Sequence, residues 1–121
     1  MNYENFFKCF NPVDYDPSYW AEIAWNVGMR YVVFTTKHHD GFCMYDSKYT
    51  DFKITNTPYR KDITAELVKA FRMRGLKIGF YHSLVDWRHP HFVPDAEHPL
   101  GKNNTNYFYG QKSCAVQRLS L

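Results

Sequence analysis

The hydrophobic positions of this chain switch between helical and strand spacing. In the first helical segment, apolar residues recur three to four positions apart, at Trp20, Ile23, Ala24 and Val27. Asp16-Pro17 should begin this helix, because Asp accepts hydrogen bonds from free helix N–H groups and Pro suits the first helical position. Gly28 should follow its last turn. The pattern therefore predicts a helix with one apolar stripe.

A second helix is predicted to begin at Lys61-Asp62 and to end at Gly75. Its apolar face consists of Ile63, Leu67, Ala70 and Phe71. Each helix is followed within a few residues by a short predicted strand, at 31–36 and at 77–82. The apolar run that opens the first of these strands is typical of a buried strand.

Long polar and aromatic loops follow the two strands, at roughly 37–59 and 83–105. Short helix-to-strand turns and long strand-to-helix loops are typical of a (β/α)₈ barrel. A doubly wound sheet shares the alternation, but no Gly-rich phosphate loop follows either strand. Because a complete barrel needs about 250 residues, the sequence predicts an α/β fold, a partial (β/α)₈ TIM-like barrel of about two to three βα units.

Residues with hydrogen-bonding side chains stand where each predicted strand ends. Lys37-His38-His39-Asp40 follows the first strand, and Tyr81-His82-Ser83 closes the second. The carboxyl ends of parallel strands share one edge, so these groups should form a ligand cleft, to which Trp87 adds a stacking ring. Two simpler interpretations stay open: histidines bonded only to backbone carbonyls, and Trp87 as a packed loop anchor.

Composition narrows the function classes. Aromatic residues make up 19% of the 121 residues, which suits sugar binding but also a bulky core. The net charge of +3 is dispersed, so nucleic-acid binding is not expected. No apolar run approaches the roughly 18 residues of a membrane span, and no signal peptide is recognised. Three cysteines without metal spacing, Cys9, Cys43 and Cys114, are expected to be free thiols.

His89-Pro90-His91 offers a different chemistry. The His-x-His spacing occurs in metal-dependent barrel hydrolases, where both rings bind zinc. Here the pair follows the strand end by several residues on a loop broken by Pro90, which positions ligands poorly. Metal binding is therefore the less favoured alternative.

In combination, these motifs resemble the retaining alpha-L-fucosidases of glycoside hydrolase family 29. The resemblance covers residues 7–111 in order. Its motifs include Thr36-Lys37-His38-His39-Asp40-Gly41-Phe42, Ser47-Lys48-Tyr49-Thr50, Arg60-Lys61-Asp62, Gly75-Leu76-Lys77, Tyr81-His82-Ser83-Leu84 and Asp86-Trp87.

The resemblance implies a barrel enzyme that removes terminal alpha-linked L-fucose with retention, without a cofactor or a metal. It implies that His38 and His39 hydrogen-bond fucose hydroxyls and that Tyr81 lies near the anomeric centre. Trp87 is expected to be a further substrate-binding residue. The catalytic nucleophile and acid/base of the family lie on later strands, so no catalytic residue is assigned, and neither Asp40 nor Asp86 matches those positions.

The predicted organisation is a partial catalytic barrel domain at 1–111 and a divergent tail at 112–121. A frameshift, a mis-called gene end or an interrupted reading frame is the hypothesis for this tail. The favoured function is an alpha-L-fucosidase chain that is truncated and inactive alone. A non-catalytic sugar-binding or interaction fragment is the alternative. The expected partners are a fucosylated glycan or glycoside and a complementary fragment of the barrel. The compartment stays open, since relatives are often secreted, periplasmic or lysosomal.

Overall fold

Residues 3–89 are described by a computed structural model, and the predictions for His91 and for the tail at 112–121 lie outside this range. A 3₁₀ helix at Tyr3–Cys9 precedes helix α1 (Pro17–Asn26) and strand β1 (Tyr31–Lys37). A short 3₁₀ helix at Ile54–Asn56 lies in the next loop, before helix α2 (Ile63–Met73) and strand β2 (Lys77–His82). The sequence predicted both helices and both strands, and neither 3₁₀ helix.

Helix α1 begins at Pro17, directly after its N-cap residue Asp16. The Asp16 carboxylate accepts hydrogen bonds from the backbone N–H groups of Ser18 and Tyr19, at 2.9 and 3.0 Å. Pro17 occupies the first turn, and Gly28 takes a φ of +88° just beyond the helix. The left-handed conformation at Gly28 lets the chain turn directly into β1.

The packing face of α1 shares Ala24 with the predicted stripe but not its three bulky residues. Ala21 and Ala24 are buried, whereas the bulky Trp20, Ile23 and Val27 are 48%, 44% and 66% exposed. The two alanines pack in one cluster with Leu67, Phe71 and Leu76. Small side chains allow α1 to lie close to α2, while the Trp20 ring packs edge-on against Tyr15, with 5.1 Å between the ring centroids.

Helix α2 follows its prediction closely. The Asp62 carboxylate accepts a hydrogen bond from the Ala65 N–H at 2.8 Å. Ile63, Leu67 and Phe71 are buried along one face. Gly75 ends the segment at a φ of +85°.

Strands β1 and β2 are parallel neighbours, with Tyr31 opposite Lys77 and Thr35 opposite Tyr81. Helix α2 connects them, which makes a β-α-β unit. Val32, Phe34 and Ile78 face the helical core. On the other face, Tyr31 and Val33 remain 70% and 58% exposed, so the prediction that the run at 31–34 is buried is wrong for these two positions. Side chains alternate along a strand, and only one face of the sheet is covered within residues 3–89.

The predicted α/β class is confirmed at the level of two parallel strands with packed helices. The loop between β1 and α2 is ordered around Cys43, whose backbone pairs with Lys37 and Lys53. Ile54 in this loop is fully buried. Neither helix in residues 3–89 has the length and hydropathy that a bilayer crossing requires.

Candidate functional site

The carboxyl ends of β1 and β2 bring the four predicted site residues into one row. The His38 ring centroid lies 5.6 Å from that of Tyr81 and 4.3 Å from that of His39. The His39 ring in turn lies 5.6 Å from Trp87. We call these residues the rim row: Tyr81, His38, His39 and Trp87. Since strands β1 and β2 are in parallel register, residues that are 43 or more positions apart become adjacent.

The loop after β2 is fastened to the end of β1 by backbone hydrogen bonds. The Ser83 N–H donates to the Lys37 carbonyl at 2.9 Å, and the Trp87 N–H donates to the His39 carbonyl at 2.7 Å. These bonds fix the indole of Trp87 relative to the histidine that precedes it by 48 positions. The rim row is thus held in place by the ends of β1 and β2 and by the loop that follows β2.

A charged pair lies behind the rim row. Lys37 Nζ and Asp86 Oδ2 are 3.4 Å apart, and their side chains are 10% and 29% exposed. Lys37 Nζ also donates to the Val85 carbonyl at 3.4 Å. The sequence placed Lys37 at a strand end but gave it no partner, because Asp86 lies 49 positions away. This carboxylate is held in an ion pair.

The charge of Lys37 also acts on His82. Burial lowers the pKa of His82 below its usual value, and the nearby Lys37 cation lowers it further, while Asp86 opposes that effect. His82 Nδ1 lies 3.4 Å from the Thr36 hydroxyl. The neutral form of this imidazole is therefore favoured at the edge of the site.

Ser83 was named in the predicted site motif without a role, and the structure gives it one. It is 3% exposed, and its hydroxyl lies 2.5 Å from His39 Nδ1. The same oxygen is 2.8 Å from the Val85 carbonyl. One sequence signal could have indicated this role of Ser83. It is a small polar residue that directly follows a strand ending in aromatic and imidazole groups.

The rim row lies on an open face of the molecule. Two apolar clefts of about 290 and 410 Å³ are lined by other residues, mainly phenylalanines in the first and residues of the α1 region in the second. His38 and Tyr81 are exposed, and His39 and Trp87 are partly buried. The four side chains can therefore meet a ligand from solvent.

The cysteines and the metal alternative can be assessed in the described part of the chain. Cys9 and Cys43 are free thiols, as predicted, and burial raises the pKa of the Cys43 thiol. Within residues 3–89, no three His, Cys, Asp or Glu side chains are grouped as metal ligands would be. His89 is exposed, and His91, the second predicted metal ligand, lies outside the described residues. The metal site at these two histidines therefore stays an alternative prediction.

Comparison with known proteins identifies the family. The family model described as Alpha-L-fucosidase matches residues 1–119. The chain belongs to the alpha-L-fucosidase family. An alpha-L-fucosidase of Dictyostelium discoideum is 37% identical over 110 residues, which is 90% of this chain and 23% of the relative.

Solved fucosidases share the fold of this segment. Alpha-L-fucosidase isoenzyme 1 from Paenibacillus thiaminolyticus matches 87% of the chain with 50% identity and a TM-score of 0.79, over 25% of its own length. Thermotoga maritima alpha-fucosidase in complex with fucose matches 73% of the chain with 43% identity and a TM-score of 0.70, over 21% of its own length. The chain thus spans about a quarter of the fucosidases that it resembles.

Proposed function

We propose that the rim row forms one wall of a fucose-binding subsite in an alpha-L-fucosidase that releases terminal alpha-linked L-fucose with retention of configuration. The observation that carries the proposal is the contiguous row of Tyr81, His38, His39 and Trp87 at one strand edge. His38 and His39 bind sugar hydroxyls, and Tyr81 lies near the anomeric centre. Trp87 offers an aromatic face to the C–H groups of the sugar.

The geometry supports this assignment in physical terms. Imidazole rings can donate to and accept from hydroxyl groups, and the indole and phenol rings provide flat apolar surface. Backbone bonds fasten these groups to two strand ends, so binding a sugar requires little reordering of the protein. A fixed array of this kind can also orient a glycosidic bond for reaction.

We also propose that the β-α-β unit is part of a (β/α)₈ barrel. Its support is a parallel sheet whose strands each pair on one side only within residues 3–89. Further support comes from the exposed Tyr31 and Val33 on the uncovered sheet face. A complementary fragment of the barrel would supply the next parallel strands and cover this face.

The chemistry itself is assigned to that complementary fragment. Retaining hydrolysis needs two carboxyl groups about 5 Å apart. Asp86 is paired with Lys37, and Asp40 Oδ1 accepts a hydrogen bond from the Phe42 N–H at 3.4 Å. We assign neither carboxylate a catalytic role, so the chain alone should bind fucose without hydrolysing a fucoside.

Titration of the chain with L-fucose, followed by nuclear magnetic resonance, tests the proposed site. We expect saturable shifts at the rim row that are lost in His39→Ala and in Trp87→Ala. Tyr49→Ala is the matched control, because this residue is 97% exposed and its backbone N–H bonds to Ser47 in the loop before α2. Saturation that survives both rim variants would contradict the assignment.

Hydrolysis of an aryl alpha-L-fucoside separates the two functional interpretations. Turnover that is absent for the chain and appears when the complementary part of a related fucosidase is added supports an incomplete enzyme. Fucose binding without turnover in that mixture favours a sugar-binding module. Turnover by the chain alone, abolished by His39→Ala, would overturn the assignment of the chemistry to the complementary fragment.

A further inference from the structure

A buried serine hydroxyl lies between the His39 imidazole and a backbone carbonyl. Ser83 Oγ lies 2.5 Å from His39 Nδ1 and 2.8 Å from the Val85 carbonyl oxygen. A hydroxyl group has one hydrogen to donate and two lone pairs that accept. The distribution of hydrogens over these three atoms is therefore restricted.

The carbonyl of Val85 can only accept, so the hydroxyl hydrogen of Ser83 belongs to that contact. With this hydrogen used, the oxygen can only accept from the imidazole. Reversing the arrangement would leave two oxygens 2.8 Å apart with no hydrogen between them, inside a site where Ser83 is 3% exposed. The Val85 carbonyl would still accept from Lys37 Nζ, but the lone pairs of two oxygens would repel each other at this short distance.

We propose that Ser83 is a positioning residue that holds neutral His39 in the Nδ1–H tautomer and so makes Nε2 an acceptor for a ligand hydroxyl. Within residues 3–89, Nε2 has no protein hydrogen-bond partner, which leaves its lone pair for the ligand. The second ring nitrogen thus selects a ligand that donates at this point, as a sugar hydroxyl does. That ligand class rests on the proposed fucose subsite, whereas the tautomer does not.

The backbone supports the same arrangement. The Ser83 N–H donates to the Lys37 carbonyl, and the Trp87 N–H donates to the His39 carbonyl. These bonds hold Ser83 beside the imidazole and hold the imidazole in line with its neighbours. The serine is therefore placed by the sheet rather than by rotation of a free loop, and its hydroxyl is pre-organised.

The experiment is long-range ¹H–¹⁵N correlation of the histidine rings in the full chain, at about pH 8.5, where imidazoles are mainly neutral. We expect His39 to show a protonated Nδ1 and a bare Nε2. Ser83→Ala should shift the tautomer ratio toward Nε2–H by about five- to thirtyfold, the effect of losing one hydrogen bond. Ser83→Thr keeps a hydroxyl and should restore the wild-type ratio.

Two further variants test whether the loss of the Ser83 oxygen, rather than a change in side-chain size or in the neighbouring structure, shifts the tautomer ratio. Ser83→Cys keeps the size of the side chain but accepts hydrogen bonds weakly, so it should resemble Ser83→Ala. Thr36→Val removes the hydroxyl beside His82 and should leave the His39 tautomer unchanged. A wild-type His39 with a protonated Nε2, or a ratio insensitive to Ser83→Ala and to Ser83→Cys, would overturn the proposal.

Fucose titration distinguishes this proposal from the proposed function. If Ser83→Ala weakens fucose binding and Ser83→Thr restores it, both are supported. If the wild-type chain shows the Nδ1–H tautomer and no response to fucose, the fucose subsite is wrong, and the role of Ser83 in setting the tautomer is retained.

Discussion

Lys37 and Asp86 form a largely buried ion pair beside the rim row, with 3.4 Å between Nζ and Oδ2. The pair connects the end of β1 to the loop that carries Trp87. Because Lys37 also donates to the Val85 carbonyl, one cation joins two points of that loop. The ion pair and the backbone bonds together give the rim row a fixed support.

Asp86→Asn should destabilise the chain by about 1–3 kcal/mol, because it leaves the buried Lys37 charge without its counterion. Denaturant unfolding measures this change. Asp46→Asn is the matched control, since the Lys53–Asp46 pair is 2.8 Å long but its carboxylate is well exposed. Equal losses in the two variants would show that burial of the Lys37 pair has no special effect.

Gly41→Ala should cost more stability than Gly28→Ala. Both glycines have a positive φ, at +82° and +88°, so an alanine is strained at either position. At Gly41 an added Cβ would also lie 2.6 Å from Asp86 Oδ1, whereas open space surrounds Gly28. The comparison of the two unfolding free energies isolates the clash with Asp86, and equal costs would argue against it.

Tyr59 should make the chain sensitive to alkali. Burial, together with the hydrogen bond to Glu66 and its charge, raises the pKa of Tyr59 from 10.0 to about 12. A group whose pKa is higher in the folded state stabilises the fold below its unfolded pKa. That contribution should therefore be lost between about pH 10 and pH 12.

Unfolding free energies measured across this alkaline range check the prediction. Tyr59→Phe removes one ionisable hydroxyl and should reduce the pH dependence, and Glu66→Gln should reduce it less. Tyr15, whose pKa is also raised by burial, should supply the remaining slope. Tyr49→Phe, at an exposed ring, is the control and should retain the wild-type slope. A slope that Tyr59→Phe leaves unchanged would assign the alkaline transition to another group.

A complementary fucosidase fragment should stabilise the chain through the uncovered sheet face. Val33→Asp places a charge on that face and should abolish the association, measured by sedimentation and by the rise in melting temperature. Met73→Asp, at a side chain 79% exposed on α2, should have no effect. Association that tolerates Val33→Asp as well as Met73→Asp would place the interface elsewhere.

The sequence by itself located the ends of both α-helices, because these ends depend on neighbours in the chain. Asp16 caps residues two and three positions away, and Asp62 caps a residue three positions away. It also indicated that His38 and Tyr81 would be close, since the carboxyl ends of adjacent parallel strands share one edge.

Only the tertiary structure decided which surfaces and side chains interact across the fold. Hydrophobic spacing on α1 indicated Ala24 but could not indicate that Ala21, rather than Trp20, would face α2, since that depends on how closely two helices approach. The pairing of Lys37 with Asp86 and of Ser83 with His39 spans more than 40 positions. The rim row could be anticipated from the sequence pattern. The Lys37–Asp86 ion pair and the Ser83 hydroxyl that support it depend on how the end of β1 and the loop after β2 pack together in space.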